Sequence, residues 1–375
     1  MKICILSMQH VLNFGSLLQS YALKTMLQEM GHTVFFLNII PNKEDNCLLE
    51  GFAMEYPEEM EKHGTISSKL KKLDRYTRNR LQHKFMWVVQ SKYFQKFQHH
   101  EFPTADTAEF FDCCVIGSDE VFNCLSPAPW GFTSQLFGNV PQADKVITYA
   151  ASCGSTVFSA VPSLAVERIR EALKNVCAIS VRDQNTRDFV SHCTNTAIQE
   201  HLDPVLVYDF DREIAEAALP ADLPNRYCII YSYYNRIHKE TDIRQIQAFC
   251  REQDLEPVTV GAPQKWIAKH LVLSPFEALK VFQNAAFVIT DTFHGTIFSA
   301  KYAKRFAVMV QPSNRNKLED LIRKLALEQH VIQSFEQLKI AGSAENDLNR
   351  IALLTKKEQM RTIQYLKENI TGMDS

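Results

Sequence analysis

The chain opens on an apolar run, KICIL at residues 2–6, followed by a polar loop at 7–15. Leu17, Leu18, Tyr21, Ala22 and Leu27 then recur at a spacing that puts them on one helical face. Gly31 supplies a stop, and TVFFLNI at 33–39 reads as a second strand. A strand, a crossover helix and a strand imply a parallel pair, the seed of a doubly wound sheet. The alternation returns after residue 105. Strands are expected at 112–117, 145–151 and 177–181, helices at 166–176 and 184–193, and a short strand at 201–209. A second cycle starts at Arg226, with strands at 226–234, 256–261, 287–290 and 305–310. Its helices fall at 240–253, 274–285, 296–304 and 317–327, before a closing helix at 356–369. Ser274, Pro275 and Glu277 form the pattern of a capped helix start.

The rhythm breaks at 41–105, which reads as a helical insertion. It contains an acidic stretch at 55–62 and a basic one, Lys69 to Lys84, with Leu70, Leu73 and Leu81 among the charges. The basic part could lie against a membrane surface or an acidic glycan, giving a peripheral membrane contact through 69–84, or it could be a solvated helix face. The expected architecture is α/β: two Rossmann-like domains facing a cleft. The first spans 1–208 with the insertion at about 41–105, and the second spans 209–375 with a terminal helix. Ligands in such sheets sit at the carboxyl ends of the strands.

With 375 residues, 46% of them hydrophobic, each half can bury its own core. The net charge of −2 gives no global field to draw nucleic acid, so no nucleic-acid partner is expected. No apolar stretch approaches the roughly 18 residues of a membrane span. The N-terminal apolar run is short for a leader and is expected to be the first strand. Ten cysteines occur without any C-x-x-C. Cys4, Cys114 and Cys228 lie in strand-like runs, and nothing completes a zinc spacing around Cys113, Cys114 and Cys124. No metal is expected, and a reducing cytoplasm fits this cysteine usage.

Four strand-to-helix corners could carry chemistry. In the first, residues 9–16, Gly15 allows close backbone approach and Ser16 can cap the following helix, which leaves either an anion site or a plain turn. In the second, Gly117, Ser118, Asp119 and Glu120 follow a strand end. A carboxylate there can accept a proton from a hydroxyl or cap the next turn. In the third, Arg182 offers a fork for carboxylate or phosphate, unless it pairs with Asp183 or Asp203. In the fourth, Asp291, Thr292, His294 and Thr296 cluster around Gly295. His294 could move a proton near neutral pH, although a lone histidine is often structural. No Walker loop, dinucleotide fingerprint or nucleophile elbow is present.

Taken in order, several segments together resemble the polysaccharide pyruvyl transferase family. They are NFGSLLQSYAL (13–23), VIGSDEVFN (115–123), TYAASCG (148–154), ISVRD (179–183), LDPVL (202–206), TDTFHGTIFSAKYAK (290–304) and NRNKLEDLIRKL (314–325). The resemblance implies a GT-B-like fold and a ketal-forming reaction. Pyruvate would pass from phosphoenolpyruvate to two hydroxyls of a sugar in a cell-surface glycan, without a cofactor. It maps an activity-linked histidine to His294 and an activity-linked arginine to Arg182. Two departures stand out. Thr292 replaces the arginine that some relatives carry two residues before the histidine, and the usual GSDQVWN reads GSDEVFN here. An anion-binding cation is then expected from Arg182, Arg315 or Lys317.

On this reading His294 is the acid or acid/base and Arg182 holds the donor. Asp119 or Glu120, with Asn13, orients acceptor hydroxyls. The helix start at Thr296, with Asn314 and Arg315, holds phosphate. Gly15, Ser16, Gly117, Ser118, Thr292 and Gly295 shape the binding loops. The acceptor is a saccharide, lipid-linked if the enzyme works at the inner face of a membrane. Two other readings share the fold: a nucleotide-sugar glycosyltransferase and a non-catalytic glycan-binding protein.

Overall fold

A computed structural model describes residues 1–49, 69–106, 108–234 and 236–372, with the helix but not the side chains at 69–84. The first sheet holds β1 (Lys2–Leu6), β2 (Thr33–Phe36), β3 (Cys113–Asp119), β4 (Val146–Ala151), β5 (Val176–Val181) and β6 (Ile198–Glu200). The second holds β7 (Tyr227–Tyr231), β8 (Glu256–Val260), β9 (His270–Leu271), β10 (Phe287–Thr290), β11 (Phe306–Met309) and β12 (Val331–Ile332). Around the first run α1 (Phe14–Glu29), α2 (Lys43–Cys47), α3 (Lys69–Glu101), α4 (Ser163–Leu173), α5 (Gln184–Ser191), α6 (Pro204–Val207) and α7 (Asp211–Glu216). The remaining helices are α8 (Glu240–Glu252), α9 (Pro275–Asn284), α10 (Phe293–Tyr302), α11 (Arg315–Leu325), α12 (Leu338–Ser343) and α13 (Leu348–Thr371).

All the strand pairs in both sheets are parallel. Parallel strands covered by helices on both faces need continuous apolar runs, and β3 is buried at each of its positions. Register follows: Ile3 lies opposite Val34 on one side and Cys113 on the other. The first sheet runs β2-β1-β3-β4-β5-β6 and the second β12-β11-β10-β7-β8-β9. In each, the chain reverses its direction of travel across the sheet at one place, between β1 and β3 and between β7 and β10. Loops there diverge above and below the sheet and leave a crevice at the strand ends. The two crevices face each other, in the GT-B manner expected from the sequence.

The lobes share a core. Phe14, at the start of α1, stacks edge-on against Phe94 of α3 with ring centres 4.8 Å apart and lies 6.5 Å from Tyr231 of β7. The terminal helix α13, placed by sequence with the second lobe, also reaches the first. Tyr365 donates to the Thr148 carbonyl at 2.8 Å, and Thr362 pairs with Tyr149 at 3.0 Å.

Two local expectations change. The stretch 201–209 is not a strand: β6 ends at Glu200, and Asp203 caps the short helix α6 with Pro204 at its first position. An Asp-Pro start signal outweighs the apolar run that follows. The cap of α1 is Asn13, whose side chain accepts from the Ser16 amide. The α9 start carries the expected capping box of Ser274 and Glu277. In the insertion, α3 covers 69–101; the acidic stretch 55–62 and the side chains of 69–84 lie outside the described residues. Among the described residues no helix is long and apolar enough to cross a membrane.

Candidate functional site

The first-lobe side is built at the β1/β3 crevice. Asn13 adopts an extended backbone and its Oδ1 accepts from the Ser16 amide at 2.8 Å. This frees the Ser16 hydroxyl to donate to Asp119 Oδ2, also at 2.8 Å. Gly117 has φ +126°, and a Cβ there would sit 2.1 Å from the Tyr149 carbonyl oxygen, so only glycine lets β3 hug β4 before the turn.

The second-lobe side is built at the β7/β10 crevice. Thr292 caps α10, its Oγ1 accepting from the Gly295 amide at 2.9 Å. Thr296 spends its hydroxyl on the Thr292 carbonyl. These bonds fix the first turn of α10 and aim His294 across the interface. A Cβ on Gly15 would lie 2.1 Å from His294 Nδ1, so the α1 start must be glycine for the imidazole to lie on it.

Asp203 joins the two sides. It is fully buried at the α6 start, where its Oδ1 accepts from the Val205 amide at 3.0 Å. Its Oδ2 accepts from Arg182 Nη1 at 2.7 Å and lies 3.6 Å from His294 Nε2. Arg182 Nη1 is also 3.6 Å from Asp119 Oδ1, and the guanidinium lies over the Phe293 ring at 4.2 Å. A continuous chain thus runs His294–Asp203–Arg182–Asp119–Ser16–Asn13. Burial by itself would raise the Asp203 carboxyl, but the neighbouring His294 and Arg182 hold it at about 2. Burial opposes the Arg182 charge, yet Asp203, Asp119 and Asp183 keep it raised above its ordinary value.

A second group of charges bridges the lobes beside this chain. Lys317 of α11 pairs with Glu120, which also accepts from Asn123 at 2.7 Å. Burial pushes the Glu120 carboxyl up, Lys317 outweighs it, and the group rests at about 2. Lys324 reaches Asp320 at 2.7 Å and Glu200 at 3.0 Å, and donates to the Arg182 carbonyl at 2.9 Å. At the β7 end, Arg236 Nη1 lies 3.5 Å from Asp291 and its guanidinium covers the Tyr233 ring at 4.4 Å. Asp291 is buried, and neither carboxylate oxygen has a hydrogen-bond partner of ordinary geometry among the described residues. Burial therefore wins there over Arg236, and the carboxyl is pushed up to about 6.

The lobes are closed on one another. One narrow gap runs between Arg182, Asp203, Phe293, Lys317 and Lys324, and another between Gly154, Ser155, Ser313 and Arg315. Each has room for little more than water. Among the described residues no cluster of three or more His, Cys, Asp or Glu is placed to hold a metal.

Of the residues singled out in sequence, His294, Arg182, Asp119, Asn13, Gly15, Ser16, Thr292 and Gly295 meet at this junction. Glu120 sits in the Lys317 group. Asn314 donates to the Asp291 carbonyl at 2.6 Å and so holds the β10 corner. Gly117, Ser118 and Thr296 are buried beneath the corners; Ser118 donates to Gln19 at 3.0 Å. Arg315 is largely exposed, 3.6 Å from Glu319. Sequence reading saw Asp203 only as a partner for Arg182 and passed over Arg236. The signal for Arg236 was present, because it follows the apolar run 226–234 as Arg182 follows 177–181.

The polysaccharide pyruvyl transferase family model matches residues 13–312. No curated protein matches the sequence. Among solved structures, the UDP-GlcNAc 2-epimerase of Methanocaldococcus jannaschii aligns over 97% of this chain and 100% of its own, at 12% identity and TM-score 0.47. The UDP-GlcNAc 2-epimerase of Neisseria meningitidis, bound to UDP-GlcNAc, aligns over 100% of both chains at 10% identity and TM-score 0.47. A glycosyltransferase from Streptomyces sp. SF2575, complexed with thymidine diphosphate, aligns over 98% of both chains at 11% identity and TM-score 0.45.

Proposed function

The chain belongs to the polysaccharide pyruvyl transferase family, and from that premise we propose that it moves pyruvate from phosphoenolpyruvate onto two hydroxyls of a sugar in a cell-surface glycan. The observation that carries this reading is the family match across 13–312, a span that includes both crevices and every member of the chain from Asn13 to His294. That none of the ten cysteines is in a disulfide supports a reducing, cytoplasmic setting.

The chemistry needs an acid, a base and fixed cations. The His294 imidazolium protonates the C3 methylene of the donor, which makes C2 electrophilic. One sugar hydroxyl bonds to C2 and gives its proton to the imidazole. The C2–O bond to phosphate breaks, and phosphate leaves with the electron pair. The second hydroxyl then closes the ketal, and its proton leaves on the phosphate. Asp203, ionised throughout the working range, stabilises the imidazolium from 3.6 Å. Asp119 and Glu120, with Asn13, orient the acceptor.

Donor entry requires the lobes to part. Parting separates Lys317 from Glu120 and Lys324 from Glu200, because the partners sit on opposite lobes. The cations released, together with Arg182 and Arg236, then meet the donor's carboxylate and phosphate. Asn314, Arg315 and the α10 start complete the phosphate side.

The test is incubation of the purified chain with phosphoenolpyruvate and a glycan panel. Acceptor-dependent phosphate release and a gain of about 70 Da per acceptor, one pyruvate less water, are the expected result. A hexose-sized gain from a nucleotide sugar, with no phosphate release from phosphoenolpyruvate, would replace this reading with glycosyl transfer. Saccharide binding with neither product would leave a binding protein.

A further inference from the structure

The helix α3 has two different outer surfaces along its length. Its last three turns are held in the molecule. Phe94 and Phe97 are buried, Gln90 exchanges hydrogen bonds with Leu273 of the second lobe at 2.8 and 3.0 Å, and Lys24 pairs with Glu101 at 2.8 Å. Large apolar side chains are exposed just before that anchor and, at Tyr93, within it. Phe85 is 66% exposed, Trp87 42%, Val88 52% and Tyr93 44%. Phe85, Val88, Lys92 and Lys96 follow three- and four-residue steps, so they share the face opposite Phe94 and Phe97. A helix with an apolar core-facing side and a second apolar outer strip exposes more greasy surface than a solvated helix needs.

Lys92 and Lys96 on that face, and the charge of the helix's sequence, identify what covers it. Residues 69–100 carry nine Lys and Arg against the single acid Asp74, in a chain whose net charge is −2. The positive charge is therefore gathered on one element while the rest of the protein is acidic. Aliphatic and aromatic side chains beside lysines on one helix match the headgroup boundary of an anionic bilayer, where the ring and methyl groups enter and the ammonium groups meet phosphates.

We propose that α3 docks the protein onto an anionic lipid surface through Phe85 and Val88, with Tyr93 at the edge of the strip and Lys92 and Lys96 beside them. The anchored end of the same helix packs Phe94 on Phe14, the residue next to Gly15 beneath His294. Docking thus holds the protein at the bilayer by the same helix that packs beside the site. The inference stands apart from the pyruvyl reading, because vesicle binding is measured without donor or acceptor.

The experiment is co-sedimentation of the full chain with vesicles of phosphatidylcholine alone and with about 30% phosphatidylglycerol, at low and high salt. Binding is expected only to the anionic vesicles and should fall severalfold at about 0.5 M salt. The exposed double variants Phe85→Ser/Val88→Ser and Lys92→Glu/Lys96→Glu should each bind about tenfold more weakly, with unchanged circular dichroism and melting. Failure of the parent chain to bind anionic vesicles overturns the proposal. So does equal binding to neutral ones. Self-association of the parent chain that Phe85→Ser/Val88→Ser abolishes would assign the face to a second copy instead. If a variant misfolds, the lipid and salt dependence of the parent chain decides.

Discussion

Two aspartates stand at the ends of neighbouring corners and have opposite fates. Asp203 and Asp291 are both almost wholly buried. Asp203 receives a guanidinium N–H and a backbone N–H and faces an imidazole, and its carboxyl is held at about 2. Asp291 has Arg236 at 3.5 Å, with Ser232 and its own amide nearby but none in ordinary hydrogen-bond geometry among the described residues, and burial raises its carboxyl to about 6. Depth is nearly the same, so depth does not explain the difference. The number and geometry of donors decides whether a buried carboxyl keeps its charge. The consequence is a division of labour: one acid is a permanent anion behind His294, and the other carries a proton for part of the time near neutral pH.

The most severe way to break this contrast is Asp203→Asn. It removes the hydrogen-bonded charge partner of the buried Arg182, leaving Asp119 at 3.6 Å and Asp183, and is expected to cost about 3–5 kcal/mol, read by chemical denaturation. Asp291→Asn, measured at about pH 4 where the folded carboxyl is protonated, should be near neutral, because a protonated acid is already close to an amide. Equal losses in the two variants would show that the partners do not matter.

Next in size is His294→Gln. If folded, it should lower turnover by about 100-fold or more, the scale of a lost acid–base group. Near-normal phosphate release would remove His294 from the chemistry. A smaller effect separates the aspartates by pH. The folded carboxyl of Asp291 lies above its ordinary value of 3.8, so its contribution to stability is full below about pH 4 and is lost as pH rises through about 6. Asp203 is depressed from the same 3.8, so its contribution is full above about pH 4 and is lost as pH falls through about 2. Asp291→Asn should therefore flatten a fall in unfolding free energy between pH 4 and 6, on the order of 2 kcal/mol, and leave the acid limb unchanged. The mildest probe is Gly15→Ala. Its methyl would push the imidazole off the α1 start and away from Asp203, and turnover should fall about tenfold while the melting temperature moves little.

Much of the fold was legible along the chain. Runs such as KICIL and DCCVIG are apolar throughout, because a parallel strand is covered on both faces, and the helices between them keep a period near 3.6. HLDPVLVYD misled because an apolar run and an Asp-Pro helix start compete, and local sequence does not say which one wins. Arg182 was visible because it directly follows an apolar run, and His294 because it lies beside glycine in the corner between a strand and a helix. Asp203 was harder to see as more than a partner, and Arg236 was missed, because their roles depend on what faces them from another corner: His294 of the other lobe for Asp203, and Asp291 of the same lobe for Arg236. The state of Asp291 was invisible for the same reason: the sequence shows a carboxylate but not the scarcity of donors around it.

What the sequence by itself determined is the set of elements, their parallel order and the corners where reactive side chains would appear, since periodicity and turn residues are local properties. Only the tertiary structure decided that Gly15 lies under His294, that Asp203 ties that histidine to Arg182, and that the gaps beside Arg182 and beside Arg315 hold little more than water. The contacts of His294 with Gly15 and Asp203 join opposite lobes, and the Arg182–Asp203 pair joins two corners 21 positions apart. No local pattern encodes such contacts, because they exist only after the elements have packed together.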